Sequence, residues 1–282
     1  VVIGSLLALL WAGTFNIGLF LLVLLAMIIV HGATNLINDY FDVIQGVDKP
    51  GFPTTQYRPH PVLTGEMRPT TALRISLLLY LVALVIGLVL FAIRGWEIAV
   101  LALIGGLASF FYTGGPFKYK YIALGELSVF FMWGPLMMLG SYFVQAAGWQ
   151  HFWQVTLVSI PIGLWVALVL LANNLKDIDY DKSVGIKTVG ILLGRTKTLN
   201  LYIGLLASIY LLFVIFVLFG LLPIWSLAVL ISAPLAYQLV NSLRSGQEIP
   251  PDADPRTAQL ATQTGLLLVI SIVIELLVRW IS

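Results

Sequence analysis

Polar residues are scarce along this chain and gather in a few places, leaving long apolar stretches between them. A helix that crosses a bilayer needs about 20 mostly apolar residues. Reading for such runs predicts nine helices, over residues 1–12, 17–42, 71–93, 97–112, 123–146, 152–181, 198–220, 223–243 and 257–281. The expected fold class is therefore all-α: a polytopic membrane protein, nine transmembrane helices around a central cavity. The first run, VVIGSLLALLWAG, has no charged region ahead of it. It reads as a helix lacking its beginning and not as a signal peptide.

The connections alternate in length. Those after the second, fourth, sixth and eighth helices are longer and polar, and the others are short. Lys49, Arg58, Arg68, Arg74, Lys118, Lys120, Lys182, Lys187, Arg195, Lys197, Arg244 and Arg256 lie on or beside the long ones, whereas Arg94 and Arg279 fall at the opposite ends. Cytoplasmic loops carry the excess of Lys and Arg. The long connections are thus expected in the cytoplasm, with the N-terminus inside and the C-terminus outside. The connection over residues 43–70 holds Pro50, Pro53, Pro59, Pro61 and Pro69, a density that predicts a stiff cover in place of a floppy linker.

Composition narrows the function. The chain is 60% hydrophobic and 10% charged, with mean hydropathy +0.99, against about 25% charged in a soluble domain. A net charge of +2 gives no field that would favour a nucleic-acid partner. The absence of cysteine excludes disulfides and thiolate metal ligands.

Two segments then stand out. The second helix ends in Asn35-Leu-Ile-Asn38-Asp39-Tyr-Phe-Asp42, and the sixth in Asn174-Leu-Lys-Asp177-Ile-Asp179-Tyr-Asp181. Laid together, Asn35 matches Asn174, Asn38 matches Asp177 and Asp42 matches Asp181, and each block has a glycine four residues on, Gly46 and Gly185. Spacings of i, i+3 and i+7 fall on one helix stripe, so each helix is expected to present a strip of oxygen ligands at its cytoplasmic end. Asp39, at i+4 from Asn35, is within reach of the first strip. Asp179 falls off the second and reads as a solvated acid. Ionisable groups in membrane segments are rare and usually functional. Two facing acidic strips repel unless cations lie between them. Mg²⁺ takes oxygen ligands, usually one or two carboxylates completed by phosphates and water. Two strips suit two Mg²⁺ ions clamping a diphosphate.

Such a ligand also needs cations from the protein. Arg58 in the proline-rich connection, Lys118 and Lys120 after Tyr112-Thr113-Gly114-Gly115-Pro116, and Lys187 past the second strip all lie on the same side. Arg offers phosphate a planar fork and Lys a movable charge. His31, His60 and His151 have no metal-ligand spacing, and His31 reads as a helix-packing residue. Gly105 and Gly106 read as a close helix contact. Phe110, Phe111, Tyr112, Phe130, Phe131 and Trp133 are candidates to line a dry cavity for a cationic intermediate.

These residues resemble the UbiA superfamily of intramembrane prenyltransferases. Asn38-Asp39-Tyr40-Phe41-Asp42 is similar to that family's first Asp-rich motif, and Asp177-Ile178-Asp179-Tyr180-Asp181 with Gly185 and Lys187-Thr188 to its second. Arg58-Pro59 followed by Leu63-Thr64-Gly65 is similar to its Arg-Pro…Leu-x-Gly segment. Gly46-Val47-Asp48, Tyr112-Thr113-Gly114-Gly115 and Lys120-Tyr121-Ile122-Ala123-Leu124-Gly125-Glu126 resemble the menaquinone-forming branch. One position departs: other branches carry a further Asp where Gly46 stands, and Asp48 is a candidate substitute.

The resemblance implies a single domain over residues 1–282, whose helices one to four and five to eight form a parallel pseudo-repeat with a ninth appended. It implies Mg²⁺-dependent prenyl transfer from an isoprenoid diphosphate to an aromatic acceptor, a naphthoate in menaquinone synthesis. In that scheme Asn38, Asp42, Asp177 and Asp181 hold two Mg²⁺ ions, with Asn35, Asn174, Asp39 and Asp48 behind them. Arg58, Lys120 and Lys187 grip the diphosphate, and Tyr112 hydrogen-bonds its departing oxygen. Hydroxybenzoate, a tetrapyrrole or a glycerol-phosphate ether lipid are alternative acceptors. A cation-coupled transporter, whose inverted repeats hold ions at the bilayer midplane, fits less well with two motifs at one face.

Overall fold

A computed structural model of the chain describes residues 1–50, 60–246 and 248–282. Among these residues the regular structure is helical, with one isolated parallel bridge between Ile122 and Lys187. Lipid offers the backbone no hydrogen-bonding partner, so a spanning segment must satisfy its own amides, as a helix does. The helices are α1 (Val2–Ala12), α2 (Ile17–Ile44), α3 (Pro69–Arg94), α4 (Trp96–Phe111), α5 (Gly125–Phe131), α6 (Met137–Ala146), α7 (Phe152–Lys176), α8 (Ile178–Ser183), α9 (Val189–Leu193), α10 (Arg195–Leu218), α11 (Ala233–Ser245) and α12 (Ala253–Ile281).

Seven of the resulting rods are long and apolar enough to cross a membrane, counting Gly125–Ala146 and Ile224–Ser245 as one each. Helices α1 and α4, at 11 and 16 residues, are shorter than that measure. The faces these rods turn outward are apolar: Leu78, Leu81, Leu84, Val85 and Leu88 of α3 are all exposed. An outer surface of leucine and valine is stable against acyl chains and not against water. This is an integral membrane protein.

Three predicted runs are interrupted, and each break has a local cause. The run over 123–146 passes through a π turn at Met132–Leu136 that contains Pro135; proline lacks the amide hydrogen an α-helix needs there. The run over 223–243 begins as a 3₁₀ turn, Ile224–Ser232, before α11 starts with Pro234 in its first turn. The run over 152–181 ends at Lys176, and Asp177 (φ −98°, ψ 12°) separates it from the short α8. Asn and Asp are residue types that disfavour a helix interior, and Asn173, Asn174 and Asp177 gather at this point.

Helix α7 is the axis of the fold. Its Val158, Leu168 and Leu171 are buried against Met138 and Tyr142 of α6, Tyr202 and Phe213 of α10, and Leu268 of α12. It approaches the α5–α6 rod closely: a Cβ on Gly163 would lie 2.5 Å from the Phe130 carbonyl oxygen, and one on Gly134 would lie 2.9 Å from the Gly163 Cα. Only glycines let two backbones come so near. At Gly105 and Gly106 the space is looser, with 3.4 Å to Leu136 at the first and open space at the second.

Candidate active site

The two Asn/Asp segments end in matching turns. Gly46 and Gly185 adopt φ of 71° and 76°, a left-handed conformation that glycine enters without steric cost. In each case the chain folds back on the last acid of its segment: Val47 N and Asp48 N donate to the Asp42 carbonyl at 2.8 and 3.1 Å, and Ile186 N donates to that of Asp181 at 3.3 Å. Tyr180 then links the two, its hydroxyl donating to the Val47 carbonyl at 2.6 Å.

Above the first segment lies a cavity of about 460 Å³. Its polar lining includes Asn35, Asn38, Asp39, Asp42, Asp48, His60, Tyr112, Lys120 and Asn173, and its apolar lining Met27, Val30, Met132, Trp133, Met137, Val166, Val169 and Leu170. A smaller space of about 40 Å³ shares Asp48, Tyr112, Lys120, Leu170 and Asn173 with it and adds Asn174, Asp181 and Thr188. The two segments therefore face adjoining spaces, with Asp48, Tyr112 and Lys120 on the wall of both.

The carboxylates are held from several elements. Lys120 donates to Asp42 Oδ2 at 2.6 Å and the Tyr121 hydroxyl donates to Asp42 Oδ1. Asn38 accepts from the Thr113 hydroxyl at 2.6 Å. Gly114 packs against Phe41 so tightly that a Cβ would meet that ring at 2.6 Å, which docks the Tyr112–Gly115 turn onto α2. Asn174 donates to Glu126 at 2.7 Å. His60 accepts at Nδ1 from Leu63 N at 3.3 Å, which leaves Nε2 to donate to Asp48 at 3.1 Å; the same nitrogen is 3.8 Å from Asp39.

The structure departs from the sequence reading at several named residues. The break at Asp177 removes the continuous second stripe: Asn174 and Asp181 reach the smaller space, whereas Asp177 lines neither and turns both oxygens to Lys176, at 3.0 and 2.9 Å. Lys187 has an exposed side chain, and its part in the described structure is a backbone one, exchanging hydrogen bonds with Tyr121 and Ala123. Arg58 lies outside the described residues. His31 packs edge-on against Trp133 at 5.0 Å, lies 3.3 Å from Asn35, and also lines the cavity. Of the six aromatics, Tyr112 and Trp133 line the cavity and Phe110, Phe111, Phe130 and Phe131 do not. Asp179 is exposed, as expected.

Lys176, Glu126, His60, Tyr121, Thr113 and Asp254 were not read as site residues from the sequence. A signal existed for Lys176, an ionisable group inside an apolar run. For the others the partners are 12 to 79 residues distant in sequence, beyond any local pattern.

Burial and crowding raise several of the acids, Asp48 and Asp181 among them. Asp181 is pushed up to about 7 by burial and then by the Asp177 charge, and Asp48 up to about 6 by burial and then by Asp42. Burial raises Tyr112 as well, so its hydroxyl keeps its proton. Among the described residues no three His, Asp or Glu side chains converge to enclose an ion unaided. The donor set nevertheless fits Mg²⁺: carboxylates and an amide oxygen too close together for their charges, beside open volume that phosphate and water ligands can fill.

These shifts set a pH dependence. The folded protein keeps protons on Asp48 and Asp181 at a pH where the unfolded chain has released them, so both acids weaken the fold as pH rises from about 4 through about 7. Without divalent ions, the protein in detergent should melt at a lower temperature at pH 8 than at pH 5.5. Mg²⁺ should stabilise it more at pH 8, because the ion must otherwise displace protons. A larger Mg²⁺ effect at pH 5.5 would contradict this.

The family model that matches the chain is the UbiA prenyltransferase family, over residues 1–263. The chain belongs to the UbiA prenyltransferase family. It is 32% identical over 278 residues to a 1,4-dihydroxy-2-naphthoate octaprenyltransferase of Bacillus subtilis, covering 98% of this chain and 87% of that one. Solved UbiA homologues share the fold. One from Aeropyrum pernix K1 superposes with a TM-score of 0.74 at 16% identity, covering 95% of each chain. Another, from Archaeoglobus fulgidus, was solved bound to GPP and Mg²⁺ and gives a TM-score of 0.66 at 15% identity, covering 96% of this chain and 92% of that one. As a UbiA family member, the protein is a prenyltransferase.

Proposed function

We propose that this UbiA protein transfers a prenyl group from an isoprenoid diphosphate to an aromatic acceptor in a Mg²⁺-dependent reaction, and that the acceptor is a naphthoate of menaquinone synthesis. The observation that carries this reading is the pair of Asn/Asp segments on adjoining spaces, with Lys120 and Tyr112 on the wall of both and an apolar lining in the larger. The site lies in a central cavity of nine membrane helices, α1 and α4 included and the interrupted rods counted whole. Helices one to four and five to eight are a parallel repeat within one domain, and the site opens on the cytoplasmic face, where the long basic connections lie.

Asn38, Asp42, Asp177 and Asp181 are the residues that would hold two Mg²⁺ ions, with Asn35, Asp39, Asp48 and Asn174 as their support. Metal ions bound there would add positive charge against the diphosphate and make it a better leaving group. Lys120, Arg58 and Lys187 contribute charge from the protein, and the Tyr112 hydroxyl donates to the oxygen that departs. The bond between the prenyl C1 and that oxygen breaks, and the diphosphate leaves with the electron pair. A ring carbon of the acceptor supplies electrons to C1, forms the new C–C bond, and sheds a proton or its carboxyl group as CO₂. Met27, Val30, Met132, Trp133 and Met137 enclose the cationic carbon away from water.

The 32% identity to a dihydroxynaphthoate enzyme supports the naphthoate. Purified protein given equimolar dihydroxynaphthoate, hydroxybenzoate and glycerol phosphate with prenyl diphosphates should form a prenylated naphthoate, identified by mass spectrometry, and form it only with Mg²⁺. A product on another acceptor would replace the naphthoate reading. Cation flux in liposomes with no product would replace prenyl transfer altogether.

A further inference from the structure

A fourth carboxylate reaches the larger cavity from a part of the chain that neither motif includes. Asp254 stands in the first turn of α12, lines the larger space and has a side chain 15% exposed. Facing it, Lys176 ends α7 with a side chain 4% exposed. The Lys176 ammonium is 3.0 and 2.9 Å from the two oxygens of Asp177 and 3.7 Å from Asp254 Oδ1. Among its described contacts this buried cation is hydrogen-bonded to the first acid and in ion-pair range of the second. A helix N-terminus favours an acid in its first turn, which accounts for Asp254 being there but not for a buried lysine held against it.

This arrangement matters because the ammonium occupies both oxygens of Asp177. A metal ion on the same carboxylate would stand beside that ammonium, and the two positive charges repel, so Asp177 binds a metal more readily when Lys176 has moved away. For Asp177 to turn to a metal, Lys176 requires a different anion close by. Its four-carbon stem is flexible, and Asp254 is in range.

We propose that Asp254 is a positioning residue of the prenyl-transfer site, the acceptor onto which Lys176 moves when Asp177 takes a metal ion. This rests on the reading of Asn38, Asp42, Asp177 and Asp181 as metal ligands. Through this exchange the last membrane helix is coupled to the second motif, and the charge count around Lys176 stays fixed while Asp177 changes partner.

The experiment is a MgCl₂ titration followed by thermal unfolding of the detergent-solubilised protein, which reports affinity through the shift in midpoint. Asp254→Asn should weaken apparent Mg²⁺ affinity about tenfold, the scale of losses when a metal ligand's support is removed. Asp254→Glu should restore it to within about twofold. In a Lys176→Met background, Asp254→Asn should have almost no further effect, because the cation it receives is gone. Should Lys176→Met not fold, Lys176→Gln takes its place in the cycle. Wild-type Mg²⁺ affinity in Asp254→Asn, or an equal loss with and without Lys176, would overturn the proposal. A wild-type protein that Mg²⁺ does not stabilise would instead remove the metal-site reading on which it rests.

Discussion

Asp42→Ala should lower prenyl transfer by at least about 10³-fold, Asp181→Ala should do the same, and the double variant should be little worse than either. Groups that act as a unit lose their effect together. The geometry supports the unit: Asp42 lines the larger space, Asp181 the smaller, and Asp48, Tyr112 and Lys120 wall both. Asp179→Ala should keep most of the activity, since that side chain is exposed and off the strip. Midpoints of unfolding measured without ligand separate lost chemistry from lost fold. Burial raises Asp181, so an alanine there need not destabilise the ligand-free protein. A folded Asp42→Ala protein with near-normal, Mg²⁺-dependent turnover would show that the first strip is no metal site.

Lys120→Met should be the most damaging change outside the acids. Its ammonium lies 2.6 Å from Asp42 Oδ2, so truncation removes a cation from the diphosphate site and leaves a buried carboxylate that, among the described residues, keeps the Tyr121 hydroxyl on its other oxygen. Removing one preorganised charge-stabilising donor costs about 10²- to 10³-fold in turnover, and turnover should fall by that much. Stability should fall by up to about 3 kcal/mol, the lower end of what breaking a buried pair costs, because Lys120 is partly exposed. Mg²⁺ should recover much of that stability by replacing the missing charge beside Asp42. Lys120→Arg keeps the charge and should retain the fold. If turnover and prenyl-diphosphate binding are unchanged in Lys120→Met, its charge serves topology alone.

Much of this protein is written in local pattern. The apolar runs locate the membrane helices to within a few residues, because lipid imposes one requirement on every span: an apolar surface and a self-satisfied backbone. The paired segments from Asn35 to Gly46 and from Asn174 to Gly185 are equally local. Their repeated spacing identifies the acids, and their glycines take the same left-handed turn. The exposed Asp179 follows from its place off the strip.

What the sequence did not determine depends on partners far apart in the chain. The second strip is broken at Asp177, where propensity and the adjacent Lys176 outweigh the helical period. That Lys120 and Tyr121 clasp Asp42, that His60 donates to Asp48 and that Glu126 holds Asn174 are contacts across 78, 79, 12 and 48 residues. So is the placing of Asp254 beside Lys176. Apolar burial is non-directional and can be read from composition. A hydrogen bond between two charged groups is fixed by distance and angle at both ends, and those are set only when the helices that carry the groups have packed.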